Sequence, residues 1–199
     1  VSNALVAVRM KELAAELEKA DDKIAKAYEI VGEVYKKHGR VIFNGNGYSE
    51  EWVKEAEKRG LPNINCTIDA IPTIIKPENI EFFIKAHTYS EAECHARYEI
   101  LLENYVKTIT VELNTALEMV NRLYLPAGAK YLGKLAEGNH FGYKTGVLCQ
   151  AAIRHQKQIA KLVDEISEHT QKLTESFDAA LAKSDKMEVA KGLYFVKEL

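Results

Sequence analysis

The sequence predicts an all-α fold, a helical bundle around a long antiparallel helix pair, with a short irregular or extended segment near 40–48. Three observations carry that expectation. Only 4 prolines and 11 glycines punctuate 199 residues. The segments between them are rich in Ala, Leu, Glu and Lys, which lose little side-chain freedom in a helix. Their apolar residues recur three and four positions apart, the spacing that lines one face of a 3.6-residue turn.

Residues 4–19 read as a first helix, with Leu5, Val8, Leu13 and Leu17 near one stripe. Asp21 and Asp22 can accept from the free amides of a second helix, which runs to about Lys37 through Ile24, Ala27, Ile30, Val31, Val34 and Tyr35 and ends at Gly39. Val41-Ile42-Phe43 then runs into two Asn-Gly pairs, a short extended piece and a tight loop. The two Asn-Gly pairs imply a positive φ, so Gly47→Val is expected to impair folding. Ser49 caps a helix with Glu50 and Glu51 in its first turn, closed by Gly60 and Pro62. Residues 61–76 are the least regular stretch. Pro77 suits the first turn of a short helix over Ile80, Phe82, Phe83 and Ile84.

Ser90-Glu91-Ala92-Glu93 is a capping box, each end able to satisfy an orphan donor of the other, so a long helix should start there. Its stripe runs Tyr98, Leu102, Tyr105, Ile109, Leu113, Ala116, Val120 and Leu123, and a second line through Leu101, Val106, Leu117 and Tyr124 widens the face. Pro126 should kink or end it. After a break at Gly138-Asn139-His140-Phe141-Gly142, another long helix is expected from about Lys144 to Lys183. Ile159, Val163, Ile166, Thr170, Leu173, Phe177 and Ala180 form its heptad seam, with Thr170 the polar member. Two long helices joined by a turn pair antiparallel. A short helix over Met187 to Leu199 follows, with Val189, Leu193 and Val196 apolar. The chain thus divides into a smaller helical layer, 1–88, and a long hairpin with its C-terminal helix, 89–199, together one compact domain.

Composition narrows the function. With 27 basic and 29 acidic residues the net charge is −2, which offers no field for a phosphate backbone, so nucleic acid is not an expected partner. Cys66, Cys94 and Cys149 are odd in number and far apart, which points to a reducing compartment, the cytoplasm. No apolar run approaches the roughly 18 residues of a membrane span. The chain does not begin with Met; Val1 reads as an internal position of a longer protein, or Ser2-Asn3-Ala4 as the remnant of a tag.

Motifs for chemistry are incomplete. Gly45-Asn46-Gly47 has Glu50 where a dinucleotide loop needs a third glycine, and Gly142-Tyr143-Lys144-Thr145 has Tyr143 where a phosphate loop needs one. A di-iron bundle needs Glu three residues before His; Ala92, Ala152 and Ile166 stand there before His95, His155 and His169. His95, Glu99 and Glu103 share a helix face, as a solvated charged face or as a ligand set. Cys94 and His95, adjacent on a helix, point apart and make no zinc pair. No Gly-x-Ser-x-Gly elbow occurs. Cys66 reads as an inert thiol with a reactive one as the alternative, and Trp52 as a packing anchor between subdomains. No catalytic, cofactor-binding or metal-binding residue is assigned, and no cofactor is expected on this chain.

The run from Phe43 through Asn44-Gly45-Asn46-Gly47-Tyr48-Ser49-Glu50-Glu51-Trp52 to Leu61 resembles the C-terminal region of type III glutamine synthetases, and so does Arg97 to Ile109. Looser similarity extends through Asp69-Ala70-Ile71-Pro72 and Leu125-Pro126-Ala127. The resemblance implies a parent enzyme that joins ammonia to glutamate using ATP and magnesium in a ring-shaped oligomer. It also implies that the metal carboxylates, nucleotide pocket and substrate arginines lie upstream of Val1, so no catalytic residue carries over. Gly128 departs from the larger residue expected there, Thr110 and Leu113 alter the long-helix pattern, and the aromatic, Pro-rich closing segment is missing, as in truncation at both ends or in a relative that has lost its tail. The expected role is a structural and oligomerisation region that packs on the catalytic core and neighbouring subunits, itself inactive. The alternatives are a free-standing helical adaptor with a groove for a partner helix, or a metal or small-ligand protein using His95, Glu99 and Glu103.

Overall fold

The computed structural model describes residues 2–198, and Val1 and Leu199 lie outside them. Among the described residues every regular element is helical and none is a strand. The chain forms two compact units, one up to Glu99 and one from Ile100 onward. The division falls inside a helix rather than between 88 and 89.

In the first unit α1 (Ser2–Glu18) precedes α2 (Lys23–His38), and the two pack together. Asp22 caps α2 as its residue type demands, its Oδ1 accepting from the amides of Ile24 and Ala25, each at 3.0 Å. Of the apolar residues on α2 only Ile30 is fully buried. A single 3-10 turn, Gly39–Val41, leads into the segment expected to be extended. It is an irregular loop in which neither Gly45 nor Gly47 has positive φ. The turn is made instead by Asn46, whose Oδ1 accepts from the Tyr48 amide at 3.0 Å, so the side chain does what a left-handed glycine was expected to do. A Cβ on Gly47 would meet nothing within 4 Å, whereas on Gly45 it would lie 2.6 Å from the Phe43 ring. The expectation for Gly47→Val is thereby overturned.

Helix α3 (Glu50–Lys58) ends at Gly60, which does have φ 68°. The Leu61 amide donates to Ala56 and the Gly60 amide to Glu57, both at 2.9 Å, closing the last turn's open carbonyls. The irregular stretch condenses into α4 (Thr67–Ala70) and a 3-10 turn, Ile71–Ile75, and α5 (Pro77–Lys85) starts on Pro77. Ile68, Ile71 and Phe83 are the unit's most enclosed large side chains from these elements. The Glu12 to Lys85 pair, 3.0 Å, ties α1 to α5.

Helix α6 (Glu91–Met119) starts at the capping box, passes through a π turn, Val120–Tyr124, and continues as α7 (Leu125–Thr145). Pro126 therefore neither ends the helix nor breaks it. The wider turn, in which the Leu125 amide donates to Val120, moves the carbonyls a proline ring would strike. Leu123 and Tyr124, in the turn, are more than half exposed, while upstream of it the regular four-residue steps from Ile109 through Leu113 bring Leu117 to the core place expected of Ala116.

The hairpin turns later than the 138–142 stretch expected to break the helix. Gly138 to Gly142 stay helical, and the chain reverses at Gly146, φ 75°, where the Val147 amide returns to Gly142 at 2.9 Å. Helix α8 (Gln150–Leu181) runs back antiparallel, with Gln156 bonded to Asn139 at 2.6 Å and Val163 against Gly128. Gly128 stands where a larger residue was expected because α8 leaves no room: a Cβ there would lie 2.8 Å from Val163. Helix α9 (Lys186–Glu198) closes the unit. The core gathers Ile109, Leu113 and Leu117 of α6, Phe177 and Ala180 of α8, and Leu193 and Val196 of α9. The α8 seam is thus buried at its C-terminal end, whereas Ile166 is 42% exposed.

Candidate functional site

The segment from Arg40 to Gly60 is knit by one arginine and one tryptophan. Phe43 stacks on Trp52, with centroids 4.5 Å apart and planes 29° from parallel. The Arg59 guanidinium, 5.8 Å from the Trp52 ring centre, donates through Nη1 to the carbonyls of Ile42 at 2.7 Å and Arg40 at 3.2 Å. Its Nε donates to Glu55 at 2.7 Å. Ser49 Oγ donates to the Asn46 carbonyl at 2.8 Å and accepts from the Trp52 amide. Trp52 therefore anchors this loop to α3 inside the first unit, a more local task than joining subdomains. The bonded loop holds Tyr48 fully exposed.

At the start of α6 the Ser90 amide and hydroxyl both donate to Glu93 Oε2, at 2.8 and 2.9 Å, and the Glu93 amide returns to Ser90 Oγ at 3.3 Å. Those donors hold the Glu93 carboxyl below its ordinary value. Arg97 lies over the Tyr89 ring at 4.1 Å. A groove of about 450 Å³ alongside is lined by Ile75, Pro77, Ile80, Ile84, Glu91 and His95. His95 thus borders a groove whose apolar wall of Ile75, Pro77, Ile80 and Ile84 also carries Glu81 and Glu91, and Glu103 pairs with Lys107 at 2.9 Å, which pulls its carboxyl down. Among the described residues no three His, Cys, Asp or Glu side chains gather as a metal site, so the ligand set on this face is not assembled.

The thiols are dispersed. Cys94 is buried, and burial pushes its thiol above the usual range; Cys66 is half-buried at the start of α4, and Cys149 is exposed at the start of α8. Thr110, one of the departures from the expected pattern, has a buried hydroxyl without a hydrogen-bond partner.

A further surface lies on α2. The sequence reading takes α2 through Ile24, Ala27, Ile30, Val31, Val34 and Tyr35, but Ile30 is buried while Ile24, Tyr28, Val31 and Tyr35 remain exposed. Tyr28 was missed. Its signal was the angular width of the apolar arc, broader than one neighbouring helix can cover. Beside it an open groove of about 400 Å³ is lined by Leu13, Val31, Val34, Tyr35, Val41 and Ile42, among others.

With every regular element among the described residues helical, the fold defines an all-α domain. The chain belongs to the glutamine synthetase C-terminal domain family, whose model matches residues 26–141, from α2 through most of α7. It is 36% identical over 173 residues to a glutamine synthetase of Butyrivibrio fibrisolvens, covering 80% of this chain and 25% of that protein. It is 38% identical over 109 residues to the type-3 glutamine synthetase of Dictyostelium discoideum, covering 55% of this chain and 15% of that protein. A glutamine synthetase of Bacteroides fragilis is 27% identical over 139 residues, 68% of this chain and 19% of that protein. The chain spans a quarter or less of the length of these relatives. The loop around Trp52 and the start of α6 both lie inside the matched region.

Proposed function

We propose that this chain is the C-terminal structural and oligomerisation region of a cytoplasmic glutamine synthetase. The parent enzyme joins ammonia to glutamate using ATP and magnesium, in nitrogen metabolism. The observation that carries the reading is the family match over 26–141, which includes the hydrogen-bonded Phe43 to Tyr48 loop and its exposed tyrosine. Making and holding a glutamyl phosphate requires metal ions across phosphates, cationic groups for developing charge and a water-excluding pocket. Four of the six arginines are engaged in structure: Arg59 binds backbone carbonyls, Arg97 covers Tyr89, and Arg9 and Arg122 pair with Glu12 and Glu118. The domain contributes packing against the catalytic core and against neighbouring subunits, and no part of its role needs nucleic acid or a membrane. Among the described residues no helix is long and apolar enough to cross a membrane.

The test assays the purified chain with glutamate, ammonia, ATP and magnesium, and measures its co-purification with the remaining portion of a relative. No turnover, with stable co-purification, is the expected result. Turnover by the chain would overturn the structural reading. The apolar groove beside α2 favours one second reading, a free-standing adaptor that receives a partner helix. The native reading frame separates the two, since a long upstream frame supports the domain and an immediate start codon the adaptor.

A further inference from the structure

Helix α2 carries more apolar surface than its partner α1 covers. Ile24, Tyr28, Val31 and Tyr35 are 73%, 77%, 66% and 67% exposed. Their spacing of four, three and four is the seam spacing by which two helices interlock side chains. No Asp, Glu, Lys or Arg of α2 falls on that face, because Lys23, Lys26, Glu29, Glu33, Lys36 and Lys37 lie around the other side of the helix, and His38 borders it at the groove end. An exposed seam of this kind calls for an uncharged helix.

We infer that the α2 face pairs with the same face of a second copy of this chain, the two helices antiparallel about a two-fold axis. The inference deepens the oligomerisation reading above and rests on it. An axis midway between Glu29 and Ile30 sets Tyr28 of each copy opposite Val31 of the other, and Tyr35 opposite Ile24. Each large side chain then meets a smaller one, as packing without voids requires. The same symmetry carries the projecting Ile24 end of one α2 onto the groove of the other, which lies at the opposite end of the helix against Tyr35, Val41 and Ile42. Knob and hole thus belong to one self-complementary patch, the condition for a closed two-fold interface.

Gly32 is an independent sign. It lies mid-helix, where glycine costs stability relative to alanine, and a Cβ there would meet nothing within 4 Å. Nothing in the chain's own packing calls for a glycine, whereas close approach of another helix does. Area agrees as well. Two tyrosines and four aliphatic side chains exposed to this degree offer on the order of 600 Å² per copy, which puts a pair at the lower edge of stable interfaces. Val41 and Ile42, 56% and 45% exposed, are part of that area.

Sedimentation of the purified chain across a wide concentration range tests this. The expected result is a reversible dimer, with Val31→Glu raising the dissociation constant at least about a hundredfold, because an unpaired charge would be buried. Helicity should be retained. Gly32→Ala guards against a variant that merely unfolds: it should raise folding stability and yet weaken association. A chain that is monomeric throughout, or a dimer indifferent to both substitutions, overturns the pairing. A monomeric chain that still co-purifies with a relative's remaining portion would sink the pairing and leave the structural reading intact. A dimer through α2 that captures no such portion would do the reverse.

Discussion

Individual residues decide most where backbone geometry leaves no alternative. Gly60 combines a positive φ with the closing bonds of α3, so Gly60→Val should cost about 1–3 kcal/mol, measured by denaturant titration. Gly47→Val, at an ordinary φ and in open space, should change stability by less than about 0.5 kcal/mol. Equal losses in the two variants would refute this account of the loop. Ser90 offers a second test, because it donates twice to Glu93 and accepts once in return. Ser90→Ala should lower stability at neutral pH by about 0.5–2 kcal/mol, the worth of a lost cap. The folded-state value of Glu93 is depressed, so its contribution is complete above the unfolded carboxylate's range and is lost as pH falls through the folded value. The gap in melting temperature between the two proteins should therefore narrow on acidification. A gap independent of pH would show that the carboxylate takes no part.

At the level of elements, helices persist through residues that usually stop them. Pro126 is carried by a π turn, and Gly138 and Gly142 remain within α7, whereas Gly146 with its left-handed φ reverses the chain. Proline and glycine thus mark candidate breaks, and neighbouring helices select among them. The seam of α8 is similarly uneven. Phe177 lies 4% exposed in the core of the second unit, while Ile166 faces largely outward. Phe177→Ala should cost about 3–5 kcal/mol through transfer and cavity terms, and Ile166→Ala no more than about 1 kcal/mol. Urea titrations that give equal losses would contradict this division of the seam.

For the whole molecule, the reading as a packing domain predicts how damage spreads in the longer protein. Trp52 holds the loop that presents Tyr48, and Tyr105 packs against the core of the second unit. Trp52→Ala or Tyr105→Ala in that protein should reduce assembly, followed by sedimentation, before it alters turnover per assembled particle. Normal assembly with lost chemistry would instead place these residues in the reaction. Fold class was legible from the sequence because helical spacing, caps and the capping box at Ser90 are local signals, complete within a few residues. The family was legible from the segments 43–61 and 97–109.

The sequence by itself determined that the chain is helical, where most helices begin, and which family it joins. Tertiary structure alone decided that the hairpin turns at Gly146, that Gly128 makes room for Val163, and that α8 is buried at one end only. It also decided that α2 keeps its outer stripe uncovered. Caps and turns act on amides a few positions away, but which face is buried depends on helices brought together from distant parts of the chain, and no local pattern specifies those neighbours.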